Sequence, residues 1–273
     1  MIEIQEVGGY FETDERGFII NPCAPEKIDQ AYVPLLDTII EDFQAKAKNH
    51  LLAVYLRGSV PAGKAVAGFS DLDVVGLLKW DKKYRFIRWG SASWEAETNA
   101  ALLPSYPFVK QIDLAIAHHD PSFPGQNLDV KMVLKTQGLC IWGTEILHSV
   151  PPFMVGKAVM INYKWVARNL QAWRDREGEW KDEAEEAAFL QDMMKTVIRG
   201  GFELVLQRVK RYTVDLYPCY AAFAEYYPEK EAEMRKALHT YLNPLEAIEE
   251  GRALMSEFVP WLAEEIQTTL INR

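Results

Sequence analysis

Two short stretches of the sequence carry residue types suited to phosphoryl chemistry. The stretch Leu56–Ser59 reads Leu-Arg-Gly-Ser, and a Gly-Ser turn after an apolar run supplies N–H groups and a hydroxyl that can hold phosphate oxygens. The stretch Ser70–Val74 then reads Ser-Asp-Leu-Asp-Val. Because strand side chains repeat every second position, Asp71 and Asp73 are expected on one face. Paired carboxylates on a rigid face are what two divalent metal ions need for in-line phosphoryl or nucleotidyl transfer.

The same turn fits most of a second phosphate-binding pattern. Residues 58–64 read Gly-Ser-Val-Pro-Ala-Gly-Lys, which matches the first seven positions of a P-loop. The eighth position is Ala65, so the hydroxyl that would bind magnesium is missing. A P-loop also runs directly into a helix, and too few residues separate Lys64 from Asp71 for a helix and a return to the sheet. The P-loop is therefore the weaker of the two interpretations.

Composition narrows the class of protein. The chain has 273 residues and a formal net charge of −9, which argues against a general nucleic-acid binder. Cys23, Cys140 and Cys219 are odd in number and scattered, so neither a disulfide framework nor a zinc knuckle is indicated. No apolar run is long enough to span a membrane, and the N-terminus lacks the basic start and apolar run of a signal peptide. We therefore expect a cytoplasmic protein.

The pattern of apolar residues predicts two domains that meet at Pro151-Pro152. Residues 1–152 alternate short apolar strands with helical segments, which indicates an α/β (α+β) domain, whereas residues 153–273 show helical spacing alone. Beside a short hairpin within 2–20, strands are predicted at 51–56, 71–78, 109–117 and 139–143. Helices are predicted at 26–47, 83–103, 126–138, 157–176, 183–210, 219–227, 229–242 and 245–271.

The motif resembles the signature of the nucleotidyltransferase superfamily that includes DNA polymerase β and the antibiotic-modifying nucleotidyltransferases. In words, the signature is an apolar residue, Gly, and Gly or Ser, then after a gap Asp, an apolar residue, and Asp or Glu. Gly58, Ser59, Asp71 and Asp73 meet its polar terms. The layout also resembles the aminoglycoside and lincosamide nucleotidyltransferases, in which a small mixed-sheet catalytic domain precedes a helical one and the substrates bind between them.

The resemblance assigns roles to residues of the predicted sheet. Asp71 and Asp73 would bridge two Mg²⁺ ions, and Asp113, inside the third predicted strand, would complete the metal site or act as general base. Gly58 and Ser59 would bind the terminal phosphates of the nucleotide. Two basic residues near this turn, Arg57 and Lys64, would offset phosphate charge, although each is as readily an ordinary solvated base.

The helical domain is expected to add basic residues to the triphosphate. Lys195 and Arg199 lie four positions apart on a predicted helix and so share one face. Lys164 and Arg168 have the same spacing and form the reserve pair. Both pairs are also consistent with ordinary surface charges.

The sequence thus predicts a Mg²⁺-dependent nucleotidyltransferase. It would move a nucleoside monophosphate from a nucleoside triphosphate, ATP by default, to a hydroxyl of a small-molecule acceptor and release pyrophosphate. Alternatives are a protein-modifying nucleotidyltransferase of the toxin–antitoxin type and an idle binding module with a partner-recognising helical domain. A His-Asp phosphohydrolase built on His119-Asp120 is disfavoured, because the other histidines are few and scattered. Neither nucleic acid nor a membrane is an expected partner; the acceptor, the base and the oligomeric state stay open.

Overall fold

A computed structural model describes residues 5–79, 92–119, 127–176 and 178–272. The chain divides into two compact units. One, here called the sheet unit, is Phe18–Phe153; the other, here called the helical unit, combines Met1–Gly17 with Met154–Arg273. The α/β class with a mixed sheet and a helical region is confirmed.

The sheet unit contains one mixed four-stranded sheet. Its strand order is β3-β2-β1-β4, with β1 antiparallel to both of its neighbours and β2 parallel to β3. The strands are β1 Leu51–Arg57, β2 Leu72–Lys79, β3 Ile112–His119 and β4 Gly138–Gly143, and the helices are α1 Val33–Ala47, α2 Ala92–Leu102 and α3 Leu128–Gln137.

Two apolar clusters lie on opposite faces of the sheet because side chains alternate along each strand. One cluster joins Leu56, Leu72 and Ile112 to apolar residues of α1. The other joins Tyr55 and Val75 to α3 and the segment that follows β4. Helices therefore cover both faces of the sheet, and polar strand residues must lie beyond the helices at the strand ends.

Helix α2 covers the outer edge of β3 with side chains rather than with a strand. The Asn99 Nδ2 donates to the Ile112 carbonyl at 2.8 Å, and the Asn99 Oδ1 accepts from the Ile112 N–H at 2.8 Å. One turn earlier on α2, Glu95 accepts from the Leu114 N–H at 3.0 Å. These bonds satisfy backbone groups of Ile112 and Leu114 at the start of the open edge of β3, where unpaired groups would otherwise be exposed.

The helical unit packs around one long central helix. Its helices are α4 Tyr163–Arg176, α5 Glu183–Val209, α6 Leu216–Tyr226, α7 Glu231–Leu242, α8 Ile248–Ala253 and α9 Val259–Ile266, with π turns at Leu254–Phe258 and Gln267–Ile271. Helix α5 contacts each of the other five. No helix among the described residues is both long and apolar enough to cross a membrane.

Several sequence-based boundaries shift in the structure. The helix predicted from residue 26 begins at Val33, after two short 3₁₀ turns at Pro25–Lys27 and Gln30–Tyr32. Residues 83–91 of another predicted helix lie outside the described residues, and its remainder is α2. The hairpin predicted within 2–20 does not form around Gly8-Gly9: residues 5–20 contain isolated bridge residues at 13, 18 and 19 and no regular strand. Instead the Gly9 N–H donates to Asp215 Oδ2 at 2.8 Å, and the Phe11 N–H donates to the Tyr212 carbonyl.

Candidate active site

Strand register brings three of the predicted site residues to one end of the sheet. Arg57 on β1 pairs with Asp73 on β2, and Asp73 pairs with Asp113 on β3. Residues paired across neighbouring strands lie about 5 Å apart and project from the same face. The residues flanking Asp73 and Asp113 in sequence belong to the α1 cluster, so both carboxylates point to the opposite face. Asp71 lies directly before β2.

Asp73 is held between a guanidinium and a glycine. The Arg57 Nη2 forms an ion pair with Asp73 Oδ1, and the two side chains are 37% and 19% exposed. The other oxygen, Oδ2, lies so close to Gly58 that a Cβ there would be 2.9 Å from it. Gly58 also has φ +81°, a region that side-chain-bearing residues rarely occupy. The turn therefore requires glycine, and any side chain at this position would also displace the Asp73 carboxylate.

The Gly58 turn is fixed by the end of α3. The Gly58 N–H donates to the Gln137 carbonyl at 3.2 Å, and the Cys23 thiol donates to that oxygen at 3.1 Å. After the turn, the Lys64 N–H donates to the Ser59 carbonyl at 2.9 Å and closes the loop. Because the Gly58 N–H is used internally, phosphate donors at this turn must come from Ser59 and the residues after it.

The segment that carries Asp71 is attached to the start of β3. The Lys110 N–H donates to the Ser70 carbonyl at 3.1 Å, and the Leu72 N–H donates to the Gln111 carbonyl at 2.8 Å. The Gln111 side-chain amide in turn donates to Asp113 Oδ1 at 2.6 Å. Hydrogen bonds of Lys110 and Gln111 therefore connect the loop before β2 to the Asp113 carboxylate on β3.

The donor chemistry of the site suits a divalent cation, but its ligands are not gathered into a ready coordination sphere. Carboxylate oxygens are the ligands that Mg²⁺ prefers, and Asp73 already has one cation, the Arg57 guanidinium, against it. Within the four described ranges, no group of three or more His, Cys, Asp or Glu residues is arranged to hold a metal ion. The assignment of Asp71, Asp73 and Asp113 to metal therefore stays a prediction.

The structure argues against the P-loop interpretation and does not test the His-Asp dyad. No helix follows Lys64, since residues 64–71 form turns and irregular chain up to β2, and the Lys64 side chain is exposed. This is not the strand–loop–helix context of a P-loop. In the His-Asp dyad, His119 ends β3 and Asp120 lies outside the described residues. Burial lowers the pKa of the preceding residue, His118.

The basic residues of the helical unit have partners of their own. The Arg199 Nε and Nη2 both donate to the Val214 carbonyl, at 3.0 and 2.7 Å. In the reserve pair, the Lys164 Nζ lies 6.0 Å from the centre of the Tyr163 ring, and the Arg168 guanidinium stacks 4.9 Å from the ring centre of Trp165. The assignment of Lys195 and Arg199 to the triphosphate stays a prediction.

Sequence reasoning missed the residues that position the site. Asn99 and Glu95 hold the edge of β3, and Gln137 and Cys23 hold the Gly58 turn. The pair on α2 had one detectable signal, since polar residues four apart share a helix face. The bonds to Gln137 had none, because they join segments distant in sequence.

Comparisons with known proteins add a similarity of fold. No family model matches the chain, and no curated protein matches it. Among solved structures, the chain is similar to a spectinomycin adenyltransferase, AAD(9), from Enterococcus faecialis, crystallised with ATP and spectinomycin. The similarity covers 86% of this chain and 98% of that one, at 14% sequence identity and a TM-score of 0.49. A similarity of this size does not distinguish between activities, so the functional argument depends on the residues of the site.

Proposed function

We propose that this protein is a Mg²⁺-dependent nucleotidyltransferase. It transfers a nucleoside monophosphate from a nucleoside triphosphate, ATP by default, to a hydroxyl of a small-molecule acceptor. The observation that carries the proposal is the register that aligns Arg57, Asp73 and Asp113 on one face beside the Gly58 turn. A row of acidic side chains at strand ends is costly unless cations compensate it, and a phosphate-binding turn beside it makes a metal–nucleotide complex the fitting occupant.

The carboxylates and the turn divide the work. Asp71 and Asp73 supply the oxygen donors for metal, and Asp113 either completes this set or acts as general base. Bound Mg²⁺ would neutralise phosphate charge and lower the pKa of the acceptor hydroxyl. Ser59 and the N–H groups that follow it hold the terminal phosphates. Lys64, on the exposed part of the loop, contributes only long-range charge.

The transfer breaks a phosphoanhydride bond of the nucleotide and forms a phosphoester bond to the acceptor. The acceptor oxygen attacks the α-phosphorus, the bond from that phosphorus to the bridging oxygen of the β-phosphate breaks, and pyrophosphate leaves with the electron pair. The acceptor proton moves to a carboxylate, for which Asp113 is the candidate. The Gln111 side-chain amide donates to Asp113 and orients it, but it does not neutralise the negative charge of the carboxylate.

The proposal is tested by incubating the protein with Mg²⁺, labelled nucleotides and a panel of aminoglycosides, lincosamides, sugars and cell lysate. Mass spectrometry of the acceptors and a pyrophosphate assay are the readouts. Asp73→Asn should abolish both products, whereas Asp37→Asn, at an exposed position on α1, should change neither. ADP and phosphate without pyrophosphate would contradict the proposal, and a labelled protein acceptor from the lysate would favour the toxin–antitoxin type.

A further inference from the structure

We propose that Arg57 is a built-in competitor of the divalent cation for Asp73, and that nucleotide binding relieves this competition. The inference rests on the proposed function and adds a coupling between metal and nucleotide. In this proposal Arg57 does more than offset phosphate charge: its ion pair with Asp73 determines whether a metal ion can bind there.

The first support is the position of the guanidinium. Arg57 Nη2 forms an ion pair with Asp73 Oδ1, and Oδ2 lies on the side of Gly58, where the absence of a side chain leaves it room. A metal ion and a guanidinium cannot occupy the same oxygen lone pairs at hydrogen-bond distance. A metal ion that binds Oδ1 at the position of the guanidinium therefore displaces it, and a metal ion bound elsewhere on Asp73 is repelled by the guanidinium charge at close range.

The second support is the set of charges around Asp73: Asp113 pairs with it in register, Asp71 lies two residues before it, and the Arg57 guanidinium forms an ion pair with it. In the conformation described, Asp73 is directed to Arg57. The single positive charge of the guanidinium also reduces repulsion among the neighbouring carboxylates. The site is thus compensated electrostatically without a metal, which weakens its affinity for a metal alone.

The third support is what Arg57 can bind after it leaves Asp73. Arg57 is the residue directly before the Gly58-Ser59 turn, where the terminal phosphates are proposed to lie. A guanidinium binds phosphate oxygens through two parallel N–H bonds, as it does a carboxylate. Nucleotide therefore offers Arg57 a replacement partner at the moment when metal needs Asp73, and the two ligands should bind cooperatively.

The proposed competition predicts how Mn²⁺ affinity depends on nucleotide, and this affinity is measured without turnover. Mn²⁺ affinity is measured by calorimetry or electron paramagnetic resonance, with and without a non-hydrolysable ATP analogue. For the wild-type protein we expect the analogue to tighten Mn²⁺ binding by about tenfold or more, within the usual range of coupling. For Arg57→Met we expect about tenfold tighter Mn²⁺ binding than wild type without nucleotide, and little further gain with it.

Two variants control for charge and folding. Arg57→Lys keeps the charge but loses the planar fork, so its Mn²⁺ affinity should lie between wild type and Arg57→Met. Arg176→Met removes an arginine from a comparable ion pair with Glu185 in the helical unit and should leave Mn²⁺ affinity unchanged. Thermal unfolding identifies variants that do not fold, and Arg57→Gln replaces Arg57→Met if the latter is unfolded.

The outcomes separate this inference from the proposed function. A wild-type protein that releases pyrophosphate, together with an Arg57→Met protein of unchanged or weaker Mn²⁺ affinity, overturns the inference alone. A wild-type protein that binds neither Mn²⁺ nor nucleotide overturns both. Tighter Mn²⁺ binding by Arg57→Met, with loss of the nucleotide effect, supports the competition.

Discussion

Asp73 in the sheet unit and Glu203 in the helical unit are both carboxylates removed from full solvent contact, yet their surroundings differ. Glu203 is 2% exposed and accepts four N–H bonds of 2.7–3.0 Å, from the Ile161, Asn162 and Tyr163 backbones and the Asn162 side chain. Asp73 is half-buried at a strand end, and its partner is the side chain of Arg57 rather than backbone N–H groups.

The difference separates a carboxylate that holds the fold from one whose partner can be exchanged. The donors around Glu203 belong to the start of α4, where the helix leaves N–H groups without intrahelical partners. Burial raises the pKa of Glu203, and the four N–H donors oppose that shift. Every oxygen is therefore used to hold the fold. At Asp73 the partner can be exchanged for a ligand without breaking backbone structure.

The largest expected effect is on activity, at Asp73. Asp73→Asn should reduce pyrophosphate release by about a thousandfold, or about 4 kcal/mol of activation free energy, because the amide is a poor metal ligand. The midpoint of thermal unfolding should change little, since a partly exposed ion pair contributes about 0–1 kcal/mol. Near-wild-type turnover would show that Asp73 holds no metal. Asp71→Asn should behave in the same way.

Glu203→Gln should show the reverse pattern. The amide NH₂ cannot accept the N–H bonds that one carboxylate oxygen accepts, so we expect a loss of about 2–4 kcal/mol in the free energy of unfolding. Chemical denaturation of this variant, compared with the exposed control Glu264→Gln, measures the loss. Turnover of the folded fraction should match wild type. If Glu203→Gln kept full stability but lost turnover, the contrast with Asp73 would be wrong.

A smaller effect is expected at Asn99, which links fold and site. Asn99→Ala removes both bonds to the backbone of Ile112, the residue before Asp113, and leaves two backbone groups unsatisfied. The unfolding free energy should fall by about 1–3 kcal/mol, and turnover should fall with it because Asp113 is less well positioned. Glu97→Ala, on the exposed face of α2, is the control. Equal stabilities of the two variants would remove Asn99 from the edge of β3.

The features that could be predicted from the sequence are those that depend on the spacing of nearby residues. The apolar runs that became β1 and β2 were predictable because strand periodicity is local. The pairing of Arg57 with Asp73 was not, since antiparallel register joins separate segments. The failed hairpin has the same cause: Gly9 finds its partner at Asp215, far along the chain.

The helical unit shows the same limit for charge patterns. Lys195 and Arg199 share a helix face, as the spacing predicted, but spacing does not reveal what that face contacts. The guanidinium of Arg199 donates twice to the Val214 carbonyl in the chain that follows α5. A basic pair on a helix is therefore weak information about ligands.

A mild effect is expected at Lys64. Its side chain is exposed, and no helix follows it, so Lys64→Ala should lower turnover by at most about tenfold, or about 1.4 kcal/mol. The measurement is the pyrophosphate assay, with Lys27→Ala, another exposed lysine of the sheet unit, as the control. A loss near that of Asp73→Asn would restore the P-loop interpretation, because a P-loop lysine contacts the β- and γ-phosphates directly.

The smallest effect concerns Cys23, whose thiol donates to the same Gln137 carbonyl as the Gly58 N–H. Burial raises the pKa of Cys23 to about 11, and its thiol donates to the Gln137 carbonyl. Since the thiolate is the reactive form, alkylation of Cys23 by iodoacetamide at pH 8 should be slower than that of a free cysteine. The rate should rise with pH up to about 11. Peptide mass spectrometry reads the labelling at each pH. Rapid labelling at pH 8 would show that the Gln137 carbonyl does not hold this thiol, and that the turn beside Asp73 is less firmly fixed than its hydrogen bonds indicate.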